Sequence, residues 1–161
     1  MKKTIFGIAI ATIIFFGSCS TTQTLYYWGP DDAWKGVSQY ENAVYKNYRN
    51  QTPETVCRLI FAYETMVTNP AGSRQVPPPG ICAEYGYLLL NPETATIFAA
   101  NATNKQRRIF DSDDYSTLFA EYGARLMARE IELYPESAIF IKPLLERFKS
   151  QHKQQTDTAE K

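Results

Sequence analysis

The chain of 161 residues holds one histidine, His152, near its end among Gln and Lys. Ser–His and Cys–His catalysis both need an imidazole beside the nucleophile, so neither chemistry is expected here. Carboxylates are the other candidates. Asp111, Asp113 and Asp114 crowd into "DSDDY", but no glycine and bidentate glutamate follow at the spacing of a calcium loop. A solvated turn is expected there, with no metal. Glu130 follows Met127 by three residues and Leu126 by four, which points it along an apolar helical stripe. An ionised carboxylate is costly in that position unless it is paired. An ion pair or a helix-end hydrogen bond would satisfy it; acid chemistry is the alternative, although no second carboxylate stands at a suitable spacing. No cofactor is called for.

Of the three cysteines, Cys19 closes a charged, apolar and small-residue series: Lys2 and Lys3, an apolar run from Ile5 to Phe16, then Gly17 and Ser18. The run is shorter than the roughly 20 apolar residues a membrane-spanning helix needs, and the order is that of a secretory signal. The small pair before Cys19 resembles a bacterial lipobox, in which the cysteine sulfur receives diacylglycerol and the peptide is cut before it. Residues 1–18 are then a signal peptide and residues 19–25 a polar tether. Two or three acyl chains anchor far more firmly than one, since each buried methylene contributes about 0.8 kcal/mol. Ser20 follows Cys19 instead of an aspartate of the inner-membrane retention type, and "CSTTQT" lacks an acidic or Lys-rich surface-export signal. The expected place is the outer membrane, facing the periplasm. That compartment permits disulfides, so Cys57 and Cys82 form either a bridge or two buried thiols behaving as small hydrophobes.

The positioning elements read as helices. Residues 26–149 make one helical domain, long enough for one core and hardly for two. "YYWGP" is an aromatic knot whose Tyr27 and Trp28 suit either the membrane interface or packing against the first helix, of which packing is the expectation. Asp31 and Asp32 offer an N-cap to a first helix, in which Trp34, Val37, Tyr40, Val44 and Tyr48 recur at helical spacing, ending near Arg49. "QTPET" restarts a helix, with Thr52 as N-cap and Pro53 in its first turn. Val56, Leu59, Ile60, Tyr63, Met66 and Val67 make its stripe, which "TNPAG" stops. A Pro- and Gly-rich loop to Gly80 precedes a third helix, Ile81 to Leu90. Residues 91–115 are the least legible, because Asn, Thr and "DSDD" weaken a helical face carried by Ala95, Phe98, Ala99 and Ala102. A strong pattern runs from Ser116 to Tyr134. "YPES" then stops it and caps a last helix, with Ile139, Ile141, Leu144, Leu145 and Phe148, to about Lys149. Residues 150–161 have nothing to bury and are expected to be disordered.

The expected fold is all-α, built of antiparallel helical hairpins. Within it, "YGYLLL" and "GARLMAREIELYP" resemble a degenerate tetratricopeptide hairpin: Gly86 at the small position for close approach, Gly123 and Met127 on the facing helix, and Pro135 at its end, with residues 91–115 as an inserted segment. A wider resemblance runs through "YYWG", "YENAVYKNYRNQTPE", "PPPGICAEYGYLLL" and "EIELYPES". Those segments are similar to the small bacterial lipoprotein family called domain of unknown function 4810. The resemblance implies an envelope assembly shared with a CsgG-like lipoprotein, and no established activity. "PDDAWKGVSQ" is longer than that family's usual spacer after the Trp.

Lys plus Arg number 17 and Asp plus Glu 17, so the concentrated basic surface that nucleic acid needs is missing, and nucleic acid is not an expected partner. The function expected is that of a non-enzymatic, membrane-anchored adaptor with a protein partner. The alternative is an envelope-polymer binding protein or hydrolase using the acidic residues. "DTA" near the end resembles the O-glycosylation signal of Bacteroides-like bacteria and would place a glycan on Thr158.

Overall fold

The computed structural model describes residues 23–31 and 37–159, with side chains as far as residue 150. Cys19, the apolar run before it, Asp32 and Trp34 lie outside the described residues. Seven α-helices run through these segments: α1 Gln39–Arg49, α2 Pro53–Thr68, α3 Ile81–Leu90, α4 Pro92–Asn101, α5 Asn104–Arg107, α6 Tyr115–Leu133 and α7 Ala138–Ala159. A 3-10 turn, Pro135–Ser137, joins α6 to α7. The fold is all-α. Among the described residues the one β-type pairing is an isolated bridge between Asp31 and Ser38.

Local caps decide where most helices start. α1 begins at Gln39, where Ser38 and Glu41 form a capping box: the Ser38 hydroxyl accepts from the Glu41 amide at 3.1 Å, and the Glu41 carboxylate accepts from the Ser38 amide at 2.8 Å. Two orphan amides are satisfied reciprocally, and an N-cap of this kind contributes about 1 kcal/mol. Tyr40, Ala43 and Val44 pack inward, while Tyr48 projects into solvent at 91 % exposure. α2 starts as expected, with Thr52 accepting from the Thr55 amide and Pro53 in the first turn. A linker of three residues, 50–52, turns α2 back onto α1, and the two helices pack together.

α3 and α6 meet backbone to backbone and pack along one another, although residues 91–114 separate them in sequence. Two glycines make it possible. A Cβ built on Gly86 would lie 2.6 Å from the Gly123 carbonyl oxygen and 2.9 Å from Met127 Cγ, and one on Gly123 would lie 2.9 Å from the Gly86 carbonyl oxygen. Only residues without side chains let the two helices approach this far.

The illegible stretch proves to be core-building helix. Asn91 caps α4 by accepting from the Glu93 amide, and Thr103 and Gln106 box α5. α4 packs on both α2 and α6. Its Phe98 is fully buried, with ring centroids of Phe110, Tyr115 and Phe119 at 5.4, 5.1 and 5.3 Å. Edge-to-face pairs of this kind contribute about 0.5–1.5 kcal/mol each beyond their burial.

Two boundaries need correction. α7 continues through Ala159, so residues 150–159 are helical where disorder is expected. The segment "SQHKQQTDTA" contains no Pro or Gly to stop a helix already nucleated, and adding residues to an existing helix is cheap. His152 and Thr158 therefore lie on a helix. At the other end Thr24 and Leu25 are fastened to the body, since their carbonyls accept from the Ser73 and Arg74 amides at 3.0 and 3.2 Å. Residues 24 and 25 thus belong to the body and not to the tether.

Candidate functional site

Glu130, on the inner face of α6, is 2 % exposed. Its carboxylate accepts hydrogen bonds from the amides of Gly80, Cys82 and Ala83 at 2.7, 3.1 and 3.3 Å. These are N-terminal amides of α3, whose own N-cap residue, Gly80 at φ +89°, has no side chain to satisfy them. Glu130 therefore caps α3 from another helix, and its charge meets the positive end of the α3 dipole. Burial pushes its carboxyl above the ordinary range, and the three amides pull it partly back. The helix-end reading of Glu130 is the one the geometry carries.

A second buried acid, Glu64 on α2, accepts from the phenol of Tyr85 on α3 at 2.8 Å and from that of Tyr122 on α6 at 3.0 Å. Desolvation raises its carboxyl, and the two phenols lower it by less. Nearby, Glu84 on α3 accepts from Tyr40 on α1 and Tyr63 on α2 at 2.9 and 2.8 Å. The four tyrosines and Trp28 form one ladder of rings: Trp28–Tyr40 at 6.0 Å, Tyr40–Tyr63 at 5.5 Å, Tyr63–Tyr85 at 5.4 Å and Tyr85–Tyr122 at 5.8 Å. Burial, then the adjacent carboxylates, push all four phenols well above their usual range. As donors to carboxylates they tie α1, α2, α3 and α6 together, and no buried polar side-chain atom among the described residues lacks a partner.

Glu64 escaped the sequence reading although a signal was present, since it stands four residues after Ile60 and three before Val67 on the stripe of α2. The remaining expected residues take structural places. Asp114 N-caps α6, accepting from the Ser116 and Thr117 amides, and no group of three metal-ligating side chains is gathered among the described residues. Trp28 stacks on Tyr40, which is packing against the first helix, and Tyr27 beside it is half-buried. Pro135 opens the turn after α6, next to Tyr134, whose phenol donates to the Pro77 carbonyl at 2.6 Å.

Cys57 and Cys82 are not bridged; both are free, buried thiols. They occupy different surroundings: Cys57 feels the charge of Arg107, and Cys82 those of Glu130 and Arg129. Burial pushes the Cys82 thiol up to about 11 and raises that of Cys57 as well.

Among the described residues, two hollows stand out. One, of about 320 Å³, opens between Gly29–Pro30, α1 and α2, and is lined by Tyr40, Arg58, Phe61 and Thr65. The other is a shallow basin beside Arg107 and Arg108. Arg107 is already engaged there, donating to the Ala102 and Ala99 carbonyls at the end of α4. Neither hollow gathers carboxylates. Compared with protein-family models, curated proteins and solved structures, the chain has no significant match in any of the three.

Proposed function

We propose that this chain is a lipid-anchored adaptor of a bacterial envelope assembly, held to the membrane through Cys19, periplasm-facing, and without a catalytic centre of its own. The observation that carries the reading is where its apolar side chains are left over. Tyr45 and Tyr48 on α1 and Ile139 and Phe140 on α7 are 63, 91, 74 and 74 % exposed. The first and last helices of the described body thus present aromatic and aliphatic groups of the kind that anchor protein interfaces. The buried acids support the same reading, because Glu130 and Glu64 are spent on holding helices together. The glycine-to-glycine approach of α3 and α6 supports a tetratricopeptide-like hairpin as the unit that presents these faces.

The partner proposed is a CsgG-like lipoprotein. Crosslinking in the protein's own membranes, followed by detection of that lipoprotein, tests it. Tyr48→Arg and Phe140→Asp, both at exposed positions, should each reduce the crosslink while leaving the helical circular dichroism unchanged. A CsgG-like lipoprotein that never crosslinks, or does so equally to both variants, overturns the partner.

A further inference from the structure

The N-terminal segment is fastened to one loop of the body at its first described residues. Thr24 and Leu25 accept from the Ser73 and Arg74 amides. Gly72, at φ +84°, comes so close that a Cβ there would lie 2.8 Å from the Leu25 carbonyl oxygen. Side chains reinforce the join: the Arg74 guanidinium lies 5.9 Å from the centre of the Tyr26 ring, and Tyr26 meets Tyr134 edge-on at 6.4 Å.

We infer that the face made by Leu25 and the loop 69–76 rests on the phospholipid headgroups of the bilayer that holds the Cys19 acyl chains. This rests on the anchoring reading above. Five residue steps separate Cys19 from Thr24, which is at most about 18 Å of fully extended chain. A body pinned at Thr24 cannot stand far off the membrane, and the loop bonded to Thr24 is the part brought nearest. The chemistry of that face suits headgroups. Leu25 is 53 % exposed, Arg74 is exposed, and Arg74 is the one charged residue between positions 65 and 83. An apolar side chain beside a cation, with no acid in the loop, matches an interface whose phosphates are negative. The far end of α2 is remote from that loop. Sixteen residues of helix, about 24 Å, separate Thr68 at the loop from Pro53.

The test uses the lipidated protein purified from its own membranes and returned to vesicles containing anionic phospholipid and a headgroup-region spin-labelled phospholipid. A fluorophore is placed on Ser73→Cys in one preparation and on Glu54→Cys in another; both positions are exposed, and the native thiols are buried. The label at residue 73 should lose most of its emission to the spin-labelled lipid, and the label at residue 54 should keep most of its own. Equal quenching, or stronger quenching at residue 54, overturns the orientation. Adding Leu25→Asp and Arg74→Glu to the Ser73→Cys chain should restore emission, and unchanged quenching removes those two side chains from the contact. Intact mass separates the two levels of the proposal. A protein without lipid mass overturns the anchoring reading itself, whereas a lipidated protein with the wrong quenching pattern overturns the orientation alone.

Discussion

Gly86→Ala is the substitution in which two large effects of opposite sign meet. On a free helix, Gly to Ala stabilises by about 1 kcal/mol, because alanine has less backbone freedom to lose. At residue 86 the new methyl would stand 2.6 Å from the Gly123 carbonyl oxygen, about 0.8 Å short of the 3.4 Å at which ordinary contact begins, and 3.2 Å from the Met127 amide nitrogen. Both atoms belong to the backbone of α6, so no rotamer change can clear them. The helices must separate instead, and a gap of about 0.5–1 Å forfeits roughly a quarter to a half of each dispersion contact along the seam. Overpacking of this kind costs about 1–3 kcal/mol, and a loss of contacts along the whole α3–α6 seam puts the cost toward the upper end. The expected net result is destabilisation by about 1–2 kcal/mol after the helix-propensity gain of about 1 kcal/mol is set against it. Urea unfolding followed by circular dichroism measures it, as a lower midpoint at unchanged slope. Gly123→Ala should cost less, since one of its two closest neighbours, Leu90 Cγ at 2.9 Å, is a side-chain atom that can move. The pair should be less than additive, because helices already parted by one methyl accept the second more easily. A midpoint that stays or rises in Gly86→Ala refutes the close crossing.

Removing the Glu130 carboxylate leaves three α3 amides without their acceptor, so Glu130→Ala should lose about 2–4 kcal/mol in the same unfolding assay, with Glu130→Gln recovering part; a loss below the error of the measurement contradicts the cross-helix cap. For Glu64, whose folded carboxyl is raised by desolvation above its unfolded value, the stabilising contribution is complete below the unfolded value near 4.5 and falls as pH rises through the folded one. Denaturant midpoints taken from pH 4 to 8 should therefore fall toward neutrality for this group, and Glu64→Gln should flatten that fall; Glu130, raised in the same direction, keeps the remainder. An unchanged slope in Glu64→Gln counts against the tyrosine-held acid. Cys57 and Cys82, free and buried, should resist a thiol reagent in the folded protein and both react in denaturant without reductant; a mass spectrum showing neither labelled would restore the bridge.

Local chemistry explains what was legible in the sequence. Thr52 and Pro53 announce α2, the stripe from Ser116 to Tyr134 announces α6, and the position of Glu130 beside Leu126 and Met127 demands a partner for its charge. Each of these follows from residues within a turn or two of one another, as does the all-α class. The start of α1 at Gln39 was equally local: Ser38 and Glu41 are a capping-box pair three residues apart. The partners themselves were not local. Glu130 finds its amides 47 to 50 residues away, and Glu64 meets Tyr122 across 58. No periodicity encodes such distances, because they depend on how α2, α3 and α6 stack after each has formed. Stacking also decided that Phe98 and Phe110 make residues 91–115 core, and that Cys57 and Cys82 stay apart. An acid on an apolar stripe is visible in one dimension, but whether it catalyses, pairs or caps is fixed only when a second helix brings its amides or phenols within hydrogen-bonding distance.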